Sequence, residues 1–169
     1  GQVMSRVSHL IATFGGVGHL KPGPGTWGSL AALPVGWALY TLGGVALFGI
    51  GILLAIGSGW WATTLETRGK DDHDPSEIVI DEVAGQWIAL LPVMIGASHS
   101  GASVLALWPG WVVAFLAFRL FDITKPGPVG WADRQHGPMG VMLDDVVAGI
   151  MAALVVGLGA YLSHGVLGV

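Results

Sequence analysis

Five apolar stretches, 28–42, 44–64, 83–98, 103–121 and 146–168, follow one another along the chain. Most approach the ~20 residues that a helix needs to cross a hydrocarbon core. Threading them alternately through a bilayer leaves segment 1–27, loop 65–82 and loop 122–145 on one face. With Arg119, near the end of the fourth stretch, these segments hold all seven Lys/Arg and all eleven Asp/Glu residues. The other face receives Gly43 and Gly44, the turn around His99 and Ser100, and a tail carrying His164. The pattern predicts an all-α polytopic membrane protein, one domain over 1–169, with four to five short transmembrane helices. Lys and Arg in short loops mark the cytoplasmic side, so the N-terminus is expected inside and the C-terminus outside. Polar groups at that density are costly near lipid unless they serve a purpose. The expected site is therefore embedded in the membrane and opens to the cytoplasm.

Small residues recur every fourth position at Gly51, Ala55 and Gly59, and again at Gly149, Ala153 and Gly157. Such ridges let helix backbones approach closely in lipid. Pro34 predicts a tilt, a kink or partial insertion of the first stretch. Trp27, Trp60, Trp61, Trp108 and Trp111 fall near predicted ends, where interfacial anchors belong. Ahead of the first stretch, Val7, Leu10, Ile11 and Phe14 make one helical stripe flanked by Arg6 and His9. It reads as an N-terminal interfacial helix on the cytoplasmic leaflet, or equally as a helix packed on the protein.

Composition narrows the class further. Hydrophobic residues make up 53% and charged ones 11%, well under the ~25% usual in soluble domains. A net charge of −4 argues against nucleic acid as a partner. The absence of cysteine excludes disulfides, thiolate nucleophiles and zinc–thiolate sites.

Three polar stations carry the candidate chemistry. Asp81 and Glu82 open the third span, Arg119, Asp122 and Lys125 close the fourth, and Asp144 and Asp145 open the fifth. The first and third stations share a plan: two adjacent acids, a short apolar run, then Gly85 or Gly149. Carboxylates from separate helices at one depth, with no Cys and no His cluster beside them, suit a hard cation such as Mg²⁺. Acids at a helix N-terminus can also serve as caps, favoured by the helix dipole. Asp122 is different, because the dipole disfavours an anion at a helix C-terminus. It calls for compensation from Arg119, Lys125 or a metal. A fourth station, Lys21 to Ser29, brings glycines, Thr26 and Ser29 to the start of the first span, where they could cradle a phosphate or merely form a turn. In loop 122–145, Arg134 is a candidate phosphate clamp and His136 a candidate proton donor. Asp71, Asp72, His73, Asp74 and Glu77 read as a solvated acidic run with at most an accessory ligand.

Assembled in order, Pro24-Gly25-Thr26-Trp27-Gly28-Ser29-Leu30-Ala31-Ala32, Ile80-Asp81-Glu82 with Gly85, Arg119-x-x-Asp122-x-x-Lys125-Pro126, Asp133-Arg134, and Gly140-Val141-Met142-Leu143-Asp144-Asp145 with Ala148-Gly149 resemble the phosphatidylglycerophosphatase A family. The resemblance spans nearly the whole chain. It implies a bacterial inner-membrane, Mg²⁺-dependent lipid phosphatase that converts phosphatidylglycerophosphate to phosphatidylglycerol and inorganic phosphate. Asp81, Glu82, Asp122, Asp144 and Asp145 would be catalytic metal ligands. Lys125, also catalytic, would bind substrate phosphate together with Arg134, Arg119, Thr26 and Ser29. The alternative is a small transporter of a cation or a phosphate-bearing solute. Against it, the acids crowd one rim and the far face is nearly bare of polar residues.

Overall fold

The computed structural model describes residues 2–21, 23–67, 78–134 and 137–166. Expectations for Asp71, Asp72, His73, Asp74, Glu77 and His136 lie outside the described residues, as does the side chain of Asp133. The elements are α1 (Gln2–Ala12), α2 (Pro24–Thr67), α3 (Ile80–Ser100), α4 (Trp108–Thr124), α5 (Gly127–Asp133) and α6 (Gly137–Ala160). Short 3₁₀ turns sit at Val17–His19 and Val104–Leu107, and a wider π-turn at Tyr161–Val166 follows α6. No strand occurs among the described residues, and the chain is an all-α polytopic membrane protein. Four segments are long and apolar enough to cross a membrane: Pro24–Glu66, Ile80–Ser100, Val104–Thr124 and Met142–Ser163.

The first of these holds two crossings. Its one non-helical residue is Gly44, at φ 67 and ψ −159, a conformation open to glycine. A Cβ on Gly36 would lie 3.1 Å from the Phe48 ring, and one on Gly51 would lie 2.8 Å from Leu39. In a straight helix, residues twelve apart are about 18 Å from each other. The arms 24–43 and 45–67 therefore fold back on one another, and they are the two separate spans the apolar pattern predicts. The break comes at Gly44 and not at Pro34, which the helix absorbs.

α3 runs through the centre. Buried Trp87 wedges between the two arms of α2 and donates its indole N–H to the carbonyl of Ala32 at 2.8 Å. The ridge on the second arm holds throughout. Gly51 meets Leu39 and Trp87, Ala55 is buried, and Gly59 lies against Ile80 and Met142. The ridge on α6 is corrected in part. Gly149 is pressed against the backbone of Gly85, but the buried line continues through Ala152 and Val156, and nothing lies near Gly157. A row at strict fourth positions drifts around a helix of 3.6 residues per turn, and the packed face follows the true period.

Loop 122–145 is largely helical, which corrects the sequence reading. Its Gly and Pro residues look like loop signals, yet Gly127-Pro128 and Gly137-Pro138 sit at the first two positions of α5 and α6. There proline starts a helix and does not break one. At the other end of the chain, the stripe of α1 divides: Ile11 and Phe14 pack against the core, while Val7 and Leu10 stay exposed. Of the tryptophans expected as anchors, Trp27, Trp60, Trp61 and Trp108 are exposed near helix ends, whereas Trp111 packs against the core and donates its indole N–H to the carbonyl of Val104 at 3.0 Å.

Candidate active site

Close backbone contact between α3 and α6 builds the site. A Cβ on Gly85 would sit 2.5 Å from the carbonyl oxygen of Asp145 and equally close to the Phe118 ring, and a Cβ on Gly149 would collide with the carbonyl of Gly85. Only glycine permits this approach. Asp81 stands four residues before Gly85, and Asp145 four before Gly149, so each acid lies one turn above the crossing on the same helix face. The shared acid-to-glycine plan of the two motifs is thus a geometric device. It brings Asp81 and Asp145 together from separate helices.

Two groups of carboxylates result. Asp81, Asp144 and Asp145 each offer an oxygen within 4.8 Å of the others, and so do Glu82, Asp122 and Asp145. Asp145 belongs to both groups. It is 1% exposed, and its Oδ1 has no hydrogen-bond donor among the described residues. Asp81, Asp122 and Asp144 are buried as well.

Two cations knit the acids together. Arg119 Nη1 donates to Glu82 Oε2 at 2.7 Å and to Asp122 Oδ2 at 2.9 Å. Lys125 Nζ donates to Asp144 Oδ2 at 2.8 Å and lies 3.7 Å from Asp122 Oδ1. Asp122, in the last turn of α4, thereby receives the compensation that its place at a helix C-terminus demands. Lys125 itself is not helical: α4 ends at Thr124, and Lys125 adopts φ 49 and ψ 56 before Pro126. The helix therefore stops one residue short of Lys125, while the charges of Arg119, Asp122 and Lys125 still meet.

The capping alternative fares differently at the two acidic pairs. Asp81 and Glu82 do lie in the first turn of α3, though the side chain at the N-cap position, Val79, makes no capping bond. Asp144 and Asp145 lie two turns inside α6, because that helix already begins at Gly137. Backbone N–H groups there are engaged in the helix ladder, so neither residue caps anything.

The start of α2 forms the rim. A Cβ on Gly25 would lie 3.1 Å from Glu82 Oε1 and 3.2 Å from Arg119 Nη2, so a helix N-terminus faces this ion pair directly. Thr26 is half-buried beside it, and Ser29 is buried with no partner for its hydroxyl among the described residues. Arg134 stands apart. It is exposed, caps α5 through its backbone N–H, lies beside Gly130, and forms no ion pair with the five acids. Gln86, one turn beyond Glu82, is fully buried, and neither of its amide atoms has a partner among the described residues. Sequence reasoning passed over it, although an uncompensated Gln inside an apolar span is itself a functional signal.

A helical membrane protein that gathers five carboxylates, two cations and a helix N-terminus at one face has the equipment of an enzyme acting on an anionic headgroup. Similarity to known proteins is specific on this point. The phosphatidylglycerophosphatase A family profile matches residues 10–160. The phosphatidylglycerophosphatase A of Escherichia coli is 38% identical over 152 residues, covering 89% of this chain and 81% of that protein. The protein of the same name from Haemophilus influenzae is 38% identical over 150 residues, 88% of this chain and 85% of its own. A Bacteroides thetaiotaomicron protein, provisionally named a phosphatidylinositol-3-phosphatase, is 36% identical over 153 residues, 87% of this chain and 89% of its own. No solved structure matches. The chain belongs to the phosphatidylglycerophosphatase A family, and it is a membrane-embedded lipid phosphatase.

Proposed function

We propose that the chain hydrolyses phosphatidylglycerophosphate to phosphatidylglycerol and inorganic phosphate, dependent on Mg²⁺, at the cytoplasmic face of a bacterial inner membrane. The observation that carries this reading is the sharing of Asp145 between two groups of carboxylates, in a family named for that reaction. The donor set fits the ion. All five acids offer hard oxygens, neither group contains imidazole or thiolate, and a buried Asp145 oxygen has no donor among the described residues. Five acids against two cations also leave a negative excess, which a divalent cation would neutralise. When bound, Mg²⁺ would supply charge neutralisation for the phosphate and activation of the attacking water.

The chain's own residues do the rest. Lys125 is the more exposed of the two cations, with a side chain 33% exposed against 13% for Arg119. It can reach a phosphate at headgroup depth without drawing the acyl chains inward. Arg119 holds Glu82 and Asp122 in position and shields their charges from each other. The N-terminus of α2, with Thr26 and Ser29, offers further donors to phosphate oxygens. Burial of the acids keeps bulk water away and strengthens each of these interactions. Arg134 would act from outside the cluster, on a phosphate that extends toward α5.

Purified protein in mixed micelles should release phosphate from phosphatidylglycerophosphate only with Mg²⁺ present. Full turnover after exhaustive EDTA treatment would refute the metal assignment. The Bacteroides relative motivates a second reading, in which the substrate is a phosphorylated inositol lipid. Faster turnover of phosphatidylinositol 3-phosphate in the same assay would favour it. Orientation follows from the charge asymmetry. A cysteine at Ser100 should react with an impermeant reagent added outside intact cells and one at Ser5 should not, whereas the reverse labelling would invert the topology.

A further inference from the structure

A second cluster of ligand-type side chains lies away from the five acids. Glu66, at the end of α2, uses both carboxylate oxygens: Ser8 Oγ donates to Oε1 at 2.9 Å, and His9 Nδ1 lies 3.1 Å from Oε2. On the far side of the same ring, His9 Nε2 faces His19 Nε2 at 2.8 Å. The chain makes a tight reversal to achieve this. Phe14, Gly15 and Gly16 all take positive φ (51, 67 and 97), a costly conformation for an aromatic residue. Thr13 locks the turn, its hydroxyl donating to the carbonyl of His9 at 2.8 Å and accepting from Gly16 N–H at 3.1 Å. The reversal ends in the 3₁₀ turn that presents His19.

The chemistry of the pair is constrained. A neutral His9 that donates Nδ1–H to Glu66 carries a bare lone pair on Nε2. A second imidazole nitrogen at 2.8 Å can be tolerated only if a proton or a cation lies between them. We propose that His9 and His19 form a binding site for a transition metal ion of the zinc type, with their Nε2 atoms as ligands. Glu66 is the carboxylate that fixes the His9 tautomer and ring orientation, as carboxylates behind metal-bound histidines generally do. Zn–N bonds of about 2.0–2.1 Å at a tetrahedral angle place two nitrogens about 3.3 Å apart. The rings need only part by about half an ångström, and His19, on an exposed turn, has room to move. A shallow cavity beside His9, lined also by Ser5, Arg6 and Leu10, leaves the remaining coordination positions to water. None of these residues belongs to the phosphatase cluster, and imidazole nitrogen selects different metals from an all-carboxylate site.

The test is zinc binding to the full-length protein in detergent with saturating Mg²⁺, read by competition with a chromophoric zinc indicator. One equivalent of zinc should bind. His9→Gln and His19→Gln should each weaken it at least a hundredfold, and Glu66→Gln about tenfold. Phosphatase activity of His19→Gln should equal that of the parent, and an unchanged melting temperature would show the variant folded. No zinc uptake by the parent would mean the histidines share only a proton, and would overturn the proposal. Zinc uptake that persists in His19→Gln but is lost in Asp145→Asn would assign the ion to the carboxylates and overturn it equally.

Discussion

In α3, 67% of the span that could cross the membrane is buried within the protein, whereas the corresponding spans of the other three membrane segments are 17–22% buried. The same helix has the lowest mean hydropathy of the four, 1.3 against 1.8 to 2.2. The two facts have one cause. α2, α4 and α6 turn Leu53, Leu54, Leu116, Leu120, Leu154 and Leu158 outward to lipid, and that contact demands apolar side chains. α3 is surrounded by protein and meets glycine and alanine surfaces, so it can carry Asp81, Glu82 and Gln86 on faces that never see lipid. A membrane helix less apolar than its neighbours thus marks where polar chemistry has been sheltered.

The contrast breaks most severely at the glycine crossing. Gly149→Val would push a branched side chain into the backbone of Gly85. Overpacking of this kind costs about 1–3 kcal/mol or more. We expect a large fall in melting temperature in detergent and loss of nearly all phosphate release. Gly157→Ala, on the same helix but in open space, should change neither. Equal tolerance at the two sites would mean that the crossing does not position the acids.

Lys125→Gln comes next. Loss of the cation proposed to meet the phosphate should remove about 2–3 kcal/mol of transition-state stabilisation, roughly a hundredfold in kcat/KM, in a protein that still folds. Arg134→Gln should lose far less, because its guanidinium stands outside the ion-pair network. Near-normal turnover by well-folded Lys125→Gln would leave that lysine as no more than a charge at the end of α4. The smallest effect belongs to the lipid-facing side. Leu116→Ala and Leu158→Ala should shift stability by about 0.5 kcal/mol or less and leave activity intact. A drop beyond that would show that these faces are covered by protein, for instance a second copy of the chain.

The spans and the five acids were legible in sequence because each rests on residue type and a short-range period. The pairing of Asp81 with Asp145 was half legible: the shared acid-to-glycine plan was visible, but not that the two glycines touch. What escaped was long-range or depended on backbone detail. Gly127-Pro128 and Gly137-Pro138 read as loop, because the same dipeptide can start a helix or end one. That hid the true start of α6, and with it the reason Asp144 and Asp145 are not caps. The left-handed turn at Lys125 is set by the junction of two helices, so no local preference predicts it. The approach of His9 to Glu66 joins residues 57 positions apart, beyond any sequence period.

Asp145 is where the account is most exposed. Its carboxylate is common to both acid groups, lies inside α6 where it caps nothing, and is held among like charges. Asp145→Asn keeps the shape and removes one negative charge. Measured together on the purified protein, phosphate release should fall at least a hundredfold while the melting temperature without Mg²⁺ holds or rises, since repulsion among the acids is relieved. Turnover near that of the parent, or an equal loss of activity and of fold, would contradict the claim that these acids form a catalytic site and not a structural one.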